Sequence, residues 1–516
     1  MSINRATTEY LDRYEVDPPL QLSALHGLPP ADRILFQRYG HARVSRPAFS
    51  RIHHAIEAQA RMRPQATAVE HLGVRLTYQE LDRLADCLAN QLAARGVRRG
   101  DRVGLFLRRS AHMVVGILAI LKAGAAYVPQ DIRITPPQHL RHVVSTAGIR
   151  VILTTREHEV PAELGEIVCL DTIATEAEPP RADRGGDAAV VIFTSGTTGK
   201  PNGVQVTHAN LCNVLLTEPG SLGIRPGDRV GQLLNIAFDM AAWEILGTLA
   251  HGGTLVVRGN DLAGTAESLN VIVATPSILA TLDPAACPGV HTVAVAGERC
   301  PQSLADTWSR HAAFHNCCGP TEVTIVNTVQ RYDGALTIGR PVPNTTVYIL
   351  DDRLQPCPIG EIGEMWAGGA CVTDGYVGNE TLTAERYRPD PFLGGTNRMF
   401  RTRDLARWTP DGQLEHHGRT DDQVKIRGFR VELDAVTSAL EQSPGCAGAA
   451  AVLHEDRLVG FVSPATVQPE VVRRVVEELL PYYCWPTLIV PVDKLPMTER
   501  GKIDRRALVS RLDTVA

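Results

Sequence analysis

The sequence predicts an α/β protein: a large multi-subdomain N-terminal core of layered α/β sheets plus a β-rich subdomain, then a small α+β C-terminal domain. Three observations predict it. From Ile52 to Gly297, short β-branched runs alternate with amphipathic helical stretches, the pattern of βαβ units. From about Ala335 the helical spacing gives way to short strands between Gly/Pro turns. Beyond Asp422 lies a compact strand–helix–strand–strand–helix pattern. A chain of 516 residues also exceeds one ordinary domain. The boundary falls in the charged turn Arg419–Asp422, giving a core over 1–420 and a small domain over 421–516. Within the core, 1–46 reads as a polar lead-in and 335–418 as the β-rich part.

The elements follow in order. Apolar spacing predicts a helix over Ile52–Met62, and alternation predicts a hairpin of Thr67–Glu70 with Val74–Thr77. Tyr78–Arg95 places Leu81, Leu84, Ala85, Leu88 and Leu92 on one helical face. A strand at Asp101–Phe106, a helix at Met113–Lys122 and a strand at Val151–Thr154 continue the alternation. Ala188–Ile192 and Val204–His208 read as strands flanking a loop, with a helix from Asn210 onward. Arg229–Leu234, Thr254–Val257, Val271–Ala274 and Thr292–Ala296 read as strands, and Ala241–Ala250 as a helix. Short strands at Val347–Leu350 and Gly363–Trp366 follow. The small domain reads as strand Gln423–Arg427, helix Asp434–Gln442, strands Ala449–Leu453 and Leu458–Val462, and helix Glu470–Leu479.

Composition narrows the function. A 44% apolar and 21% charged chain is ordinary for a soluble enzyme. A net charge of -5 leaves no electrostatic footprint for nucleic acid. The most apolar run, Met113–Leu121, is too short to span a bilayer, and no charged-then-apolar leader opens the chain. The 11 cysteines include no C-x-x-C pair, which suits reduced thiols in a cytoplasmic protein. The adjacent Cys317 and Cys318 also read as two small apolar residues.

The loop between the strands at 188–192 and 204–208 is Phe193-Thr194-Ser195-Gly196-Thr197-Thr198-Gly199-Lys200-Pro201-Asn202-Gly203. Glycines let a backbone approach a phosphate, consecutive N–H groups form an anion nest, and four hydroxyls with Lys200 add donors. The spacing is not that of a Walker loop, which needs GxxxxGK[ST] before a helix. The same composition also describes an exposed surface loop.

With Leu76–Leu81, Leu121–Pro129, Phe238-Asp239, Asn316–Glu322, Arg401–Trp408, Gly418–Glu432, Leu480–Tyr482 and Gly501–Asp504 in order, the chain resembles the adenylate-forming superfamily. More closely, it resembles the adenylation domains of nonribosomal peptide synthetases, over roughly Ile52 to Leu508. The resemblance implies activation of a carboxylic acid by MgATP as an acyl-adenylate, with release of pyrophosphate, then transfer to a phosphopantetheine thiol. It implies that Thr194, Ser195, Gly196, Thr197, Thr198, Gly199 and Lys200 hold the β- and γ-phosphates. Thr321, after the Gly319-Pro320 turn, would meet the α-phosphate, and Glu322 would ligate Mg²⁺. Asn316 would bond the adenine edge, beside Cys318 and Gly319, while Asp404 would accept the ribose hydroxyls with Arg419 nearby. Lys502 would bridge the carboxylate and α-phosphate as negative charge builds between them, and Asp421 would be the hinge about which a mobile small domain turns. By composition alone Lys502 is a solvated surface lysine and Asp421 part of a plain linker.

By the same resemblance, Asp239 pairs the α-amino group of an amino-acid substrate; as a sequence feature it also suits a helix N-cap. The other pocket positions are Met240, Trp243, Val273, Ala294, Ala296, Cys317, Ile325 and Val326. None is charged, which disfavours charged side chains and points to a small or medium neutral amino acid: alanine, 2-aminobutyrate, valine or serine. Aromatic and β-amino acids are the alternatives, as are an acyl- or aryl-CoA ligase and a degenerate binding scaffold. Three positions depart from the family pattern: Asn202 for a lysine, Cys318 for an aromatic, and Arg403 for a glycine. Arg403 offers a replacement for the charge lost at position 202, should it reach the phosphates. No attachment serine motif or condensation motif is present, so the expected acceptor is a separate phosphopantetheinylated carrier protein. Thr383–Arg386 resembles the region where some relatives bind an MbtH-like helper.

Overall fold

The computed structural model describes residues 25, 27–172, 186–196, 200–497 and 503–513. Among them five sheets form. The first sheet runs, edge to edge, Glu166–Cys169, Val151–Thr154, Arg102–Phe106, Ala126–Gln130, Ala188–Thr194 and Asn202–Thr207. It is parallel except for the last pair, which encloses the hydroxyl-rich loop. The second sheet has nine strands, with parallel pairings at its centre and antiparallel ones at both ends. Its central strands are apolar throughout, as strands covered on both faces must be: Val271–Ala274 and Thr292–Val295 are buried at every position. The third sheet, antiparallel, is the β-rich part: Thr345–Leu350, Gly363–Gly369, Arg398–Trp408, Tyr387–Pro389 and Leu414–Arg419.

The small domain carries the other two sheets. The hairpin Gln423–Ile426/Phe429–Glu432 turns through Arg427 and Gly428, both at positive φ (49° and 82°), the backbone that a two-residue hairpin turn requires. The strands Gly448–His454, Arg457–Ser463 and Leu488–Pro491 pack under the helices Leu433–Glu441 and Pro469–Leu479. Among the described residues no helix is long and apolar enough to cross a membrane.

Several expectations shift. The strand expected through His208 ends at Thr207, and His208 opens the helix His208–Leu215. Thr207 and Asn210 form a reciprocal capping box there, so local capping beats the apolar alternation. The helix expected over Ala241–Ala250 starts at Met240 and contains a π turn at Trp243–Gly247. Helix Pro137–Ala147 and strands Phe429–Glu432 and Leu488–Pro491 are additions to the expected elements. The described part of the lead-in includes the helix Pro30–Gly40, which docks on the β-rich sheet: Phe36 stacks on Tyr348 at 6.0 Å.

Candidate active site

In open α/β sheets ligands collect beyond the carboxyl ends of the strands, where the backbone groups of the sheet run out. The chain follows this rule. Ala188–Thr194 delivers Ser195, Thr292–Val295 delivers Ala296 and Gly297, and Ala313–Cys318 delivers Asn316, Cys317 and Cys318. All of these line one cavity of about 1210 Å³. The cavity is closed on one side by the small-domain hairpin, through Gln423, Lys425, Arg427, Gly428, Phe429 and Arg430.

At one end stands Asp404, 6% exposed, on a bulge of the long strand Arg398–Trp408. Arg419 Nη1 is hydrogen-bonded to its Oδ1, and His416 Nε2 lies 3.4 Å from the same oxygen. Burial works to raise its pKa, but His416 and Arg419 outweigh burial and hold it below the usual carboxylate range. Asn316 donates to the Thr337 carbonyl at 2.6 Å. Gly319 is required by crowding, because a Cβ there would lie 2.6 Å from Val326 Cα.

Asp239 faces the same cavity. Its backbone is helical (φ −64°, ψ −30°) and its side chain makes no cap bond, so the helix-cap alternative is not formed. Enclosure by protein raises its pKa; the Thr321 hydroxyl, Lys425 and the Met240 amide oppose that rise. Met240, Ala296, Cys317 and Ile325 line the cavity with it. Trp243, Val273, Ala294 and Val326 do not reach the cavity; they are packed behind it, with Trp243 Nε1 donating to the Gly220 carbonyl at 2.7 Å. The loop carrying Ile325 is strained: Thr324 and Ile325, both β-branched, sit at φ 61° and 68°. Thr324 Oγ1, donating to the Cys371 carbonyl at 2.7 Å, holds it there.

Glu322 is fully buried beside Thr321. Burial alone would raise its pKa, but Arg430, Arg386 and the Tyr376 hydroxyl bring it down to about 2. It is therefore ionised, with Arg430 Nη1 at 3.1 and 3.2 Å from its two oxygens and Tyr376 OH donating at 2.7 Å. Among the described residues no group of three or more His, Cys, Asp or Glu side chains could hold a metal. One ionised carboxylate fits a hard cation whose shell is completed by phosphate oxygens and water, not a protein-built cage.

The loop residues divide. Thr194 Oγ1 is 3.4 Å from the Asn202 carbonyl, Ser195 Oγ donates to the Arg430 carbonyl at 2.9 Å, and Gly196 packs so tightly that a Cβ would meet the Lys200 carbonyl oxygen at 2.3 Å. Lys200 is exposed and does not line the cavity. Thr197, Thr198, Gly199 and Lys502 lie outside the described residues. Asn202 Oδ1 accepts from Asn379 at 3.2 Å. Arg403 does not line the cavity: it pairs with Glu385 at 3.0 Å and with Asp421 at 3.7 Å, so the expectation that it replaces the missing phosphate charge is not met. Its φ of 65° explains why the family pattern has glycine there. Asp421 is also held by Arg419, at 2.7 and 3.0 Å. In the helper-like segment only Ala384 and Glu385 are exposed, and Arg386 is buried against the Phe400 ring.

Among the cavity groups that sequence reasoning does not single out are Lys425, Arg430 and His416. The first two lie in the motif stretch Gly418–Glu432, where the alternation of Gln423, Lys425 and Arg427 marks one strand face. Cys318 has its thiol pushed up to about 12 by burial and Asp404, so it is a neutral small residue in the cavity wall with His416 and His417.

A family model described as AMP-binding enzyme matches residues 56–377. Two adenylate-forming reductases of Coprinopsis cinerea are 46% identical over 499 residues, covering 94% of this chain and 49% of each relative. A linear gramicidin synthase of Brevibacillus parabrevis is 36% identical over 485 residues, covering 89% of this chain and 10% of that protein. Among solved structures, a holo nonribosomal peptide synthetase protein containing adenylation and PCP domains, bound to a vinylsulfonamide inhibitor, superposes with a TM-score of 0.81 at 26% identity, covering 93% of this chain and 86% of that one. The chain spans about half the length of the reductases it matches.

Proposed function

Because the chain belongs to the AMP-binding enzyme family, we propose that it uses ATP to activate an amino acid as its aminoacyl-adenylate and passes the acyl group to a phosphopantetheine thiol. The observation that carries this reading is one cavity lined by two carboxylates, Asp404 and Asp239, in the positions that the resemblance assigns to ribose and substrate amine. In this proposal Asp404, with Arg419 and His416, holds the ribose, and Asp239 pairs the substrate ammonium. An enclosed carboxylate whose pKa is raised by burial gains most from a cation that arrives with the substrate. Thr321, which hydrogen-bonds Asp239 and precedes Glu322 in the chain, would then meet the α-phosphate. Magnesium, held by Glu322 and the phosphates, would supply charge neutralisation. In this reading the aminoacyl specificity is set by Met240, Ala296, Cys317 and Ile325, cavity-lining and uncharged, for which a small or medium neutral side chain is the proposed complement. The domain boundary is proposed at Asp421, where the charged turn meets the hairpin.

The fate of the acyl group has a second reading. The greater identity to adenylate-forming reductases than to the gramicidin synthase favours a thioester that is next reduced, not condensed. Either way the acceptor is a phosphopantetheine carrier.

ATP–pyrophosphate exchange with a panel of α-amino, β-amino, aryl and simple carboxylic acids tests the activation step. Exchange is expected with small neutral amino acids. Exchange confined to acids without an amine would overturn the assignment of Asp239 and favour a CoA ligase; no exchange with any acid would mark a binding scaffold.

A further inference from the structure

The neck of the hydroxyl-rich loop is held by side chains that lie outside it. Its two limbs meet where Thr194 pairs with Asn202. They pack so closely that a Cβ on Gly196 would lie 2.3 Å from the Lys200 carbonyl oxygen and 2.7 Å from Asn202 Nδ2. On one side stands the helix Pro137–Ala147. Its His142 Nε2 lies 2.9 Å from the Pro201 carbonyl oxygen, and its ring meets Phe193 edge-on at 6.4 Å. A carbonyl only accepts, so this nitrogen carries the hydrogen and donates. On the other side stands Asn379, the N-cap of the helix Glu380–Arg386. Its Oδ1 accepts from the Leu382 amide at 3.1 Å, and its Nδ2 donates to Asn202 Oδ1 at 3.2 Å. Both ends of the Asn379 amide are thereby used, which fixes its direction. The Asn202 side chain spans the neck, from Gly196 to Asn379. The Val377 amide, donating to the Gly203 carbonyl at 2.8 Å, pins the same limb.

We infer that His142, Asn202 and Asn379 are positioning residues for the β- and γ-phosphates of the nucleotide. His142 and Asn379 hold the exit limb of the loop from either side. Asn202, where the family pattern has a lysine, is the tie between the limbs and not a phosphate contact. The inference rests on the adenylation reading for the identity of the ligand. None of the three side chains lines the cavity, so each acts on the ligand only through the loop. A glycine-rich loop that its ligand must order loses affinity to the entropy of ordering. Here the neck is set beforehand by bonds from two separate parts of the fold, a helix of the first sheet and the β-rich subdomain. The Ser195 and Gly196 backbone is then presented in one arrangement. The donor that position 202 lacks is offset by preorganisation of the donors that remain.

The test is calorimetric titration of the full chain with AMP and with the magnesium complex of α,β-methylene-ATP, an uncleavable analogue that keeps the β- and γ-phosphates. His142→Phe keeps a ring against Phe193 and removes the donor. It is expected to weaken the analogue about tenfold and AMP less than about twofold. His142→Gln, which restores an N–H donor, is expected to stay within about threefold of wild type for both. Asn379→Asp keeps the helix cap and loses the donor, and the same tenfold split is expected. It carries the comparison should the phenylalanine variant not fold. Asn202→Ala combined with Asn379→Asp should weaken the analogue no more than the worse single variant, because the two changes remove one tie. Equal weakening of both nucleotides, unchanged affinity in His142→Phe and Asn379→Asp, or additive losses in the double variant each overturn the inference. A wild type that binds neither nucleotide overturns the adenylation reading itself and the inference with it, so the two failures are read apart.

Discussion

Asp239 and Glu244 are both enclosed carboxylates five residues apart, and their surroundings give them different work. Asp239 opens onto the cavity and lacks a cap bond, which suits the proposed pairing with a substrate amine. Asp239→Ala is expected to reduce amino-acid-dependent exchange by about 100-fold, the scale of breaking one arm of an enclosed ion pair. Exchange with the des-amino acid should fall far less; an equal fall would show that Asp239 does not meet the amine. Glu244 is fully buried behind the pocket, accepting from the Leu233 amide at 2.7 Å and from Gln232 at 3.2 Å. Burial raises its pKa to about 8 from the ordinary 4.5, against the pull of those donors and Arg109. The folded state therefore holds this proton more tightly than the unfolded chain, and stability falls as pH rises from 4.5 to about 8, then levels off. Denaturant titrations across that window should show the slope in the wild type and a flatter curve in Glu244→Gln. Parallel curves would sink the assignment. No charge pattern in the sequence separates these two roles; only their exposure to the cavity does.

The Gln423–Glu432 hairpin is the element on which the site closes, and its turn sets how closely it approaches. Gly428 has φ 82° and no room for a side chain against Thr275. Gly428→Ala is expected to strain the turn by about 1 kcal/mol and to push the hairpin off the core. Transfer to a phosphopantetheine thiol should then drop more than ATP–pyrophosphate exchange, measured side by side; an equal drop in both would mean the hairpin serves no separate step. Much of this element is legible. The stretch Gly418–Glu432 stands out as a unit in the sequence, and its first strand is expected at Gln423–Arg427. The second strand, Phe429-Arg430-Val431-Glu432, does alternate apolar and polar residues, but the run is only four residues long and follows the turn directly, too short to stand out as a separate strand; its Arg430 and Glu432 pair at 3.2 Å. The Thr324–Ile325 bend is also illegible, since β-branched residues at positive φ contradict local preference and are held by a bond to Cys371, 47 positions from Thr324.

Across the whole molecule, distant parts of the chain are tied by a few buried side chains. Phe36, fully buried, packs among Tyr348 and Phe392 of the β-rich subdomain, and Tyr39 OH donates to the Pro410 carbonyl at 2.7 Å. Phe36→Ala should cost about 3–4 kcal/mol, the range for removing a buried aromatic ring. Thermal melts followed by near-UV circular dichroism would show it; a midpoint within about a degree of wild type would mean the lead-in helix is a loose appendage. The same logic applies to Lys122, which links Asp82 and Asp86 at 2.6 Å each, tying two helices of the core through one 8% exposed ammonium.

The sequence by itself determined the family and most of the succession of strands and helices, and it singled out Asp404, Arg419, Asn316, Thr321 and Asp239, which the fold gathers at one cavity, with Glu322 buried beside Thr321; all lie in short ordered motifs. The tertiary structure alone decided which pocket positions face the cavity and which stand behind it, since Trp243 and Ala296 look alike as candidates until the π turn and the Gly220 bond rotate one away. It also decided that Arg403 pairs with Asp421 and that Arg430, 108 positions from Glu322, is that carboxylate's partner. The reason is physical. A motif records local backbone needs, such as a glycine at positive φ or a carboxylate after a turn. The counter-charge that a buried group must find is set by how far-separated segments pack, and periodicity carries no trace of that.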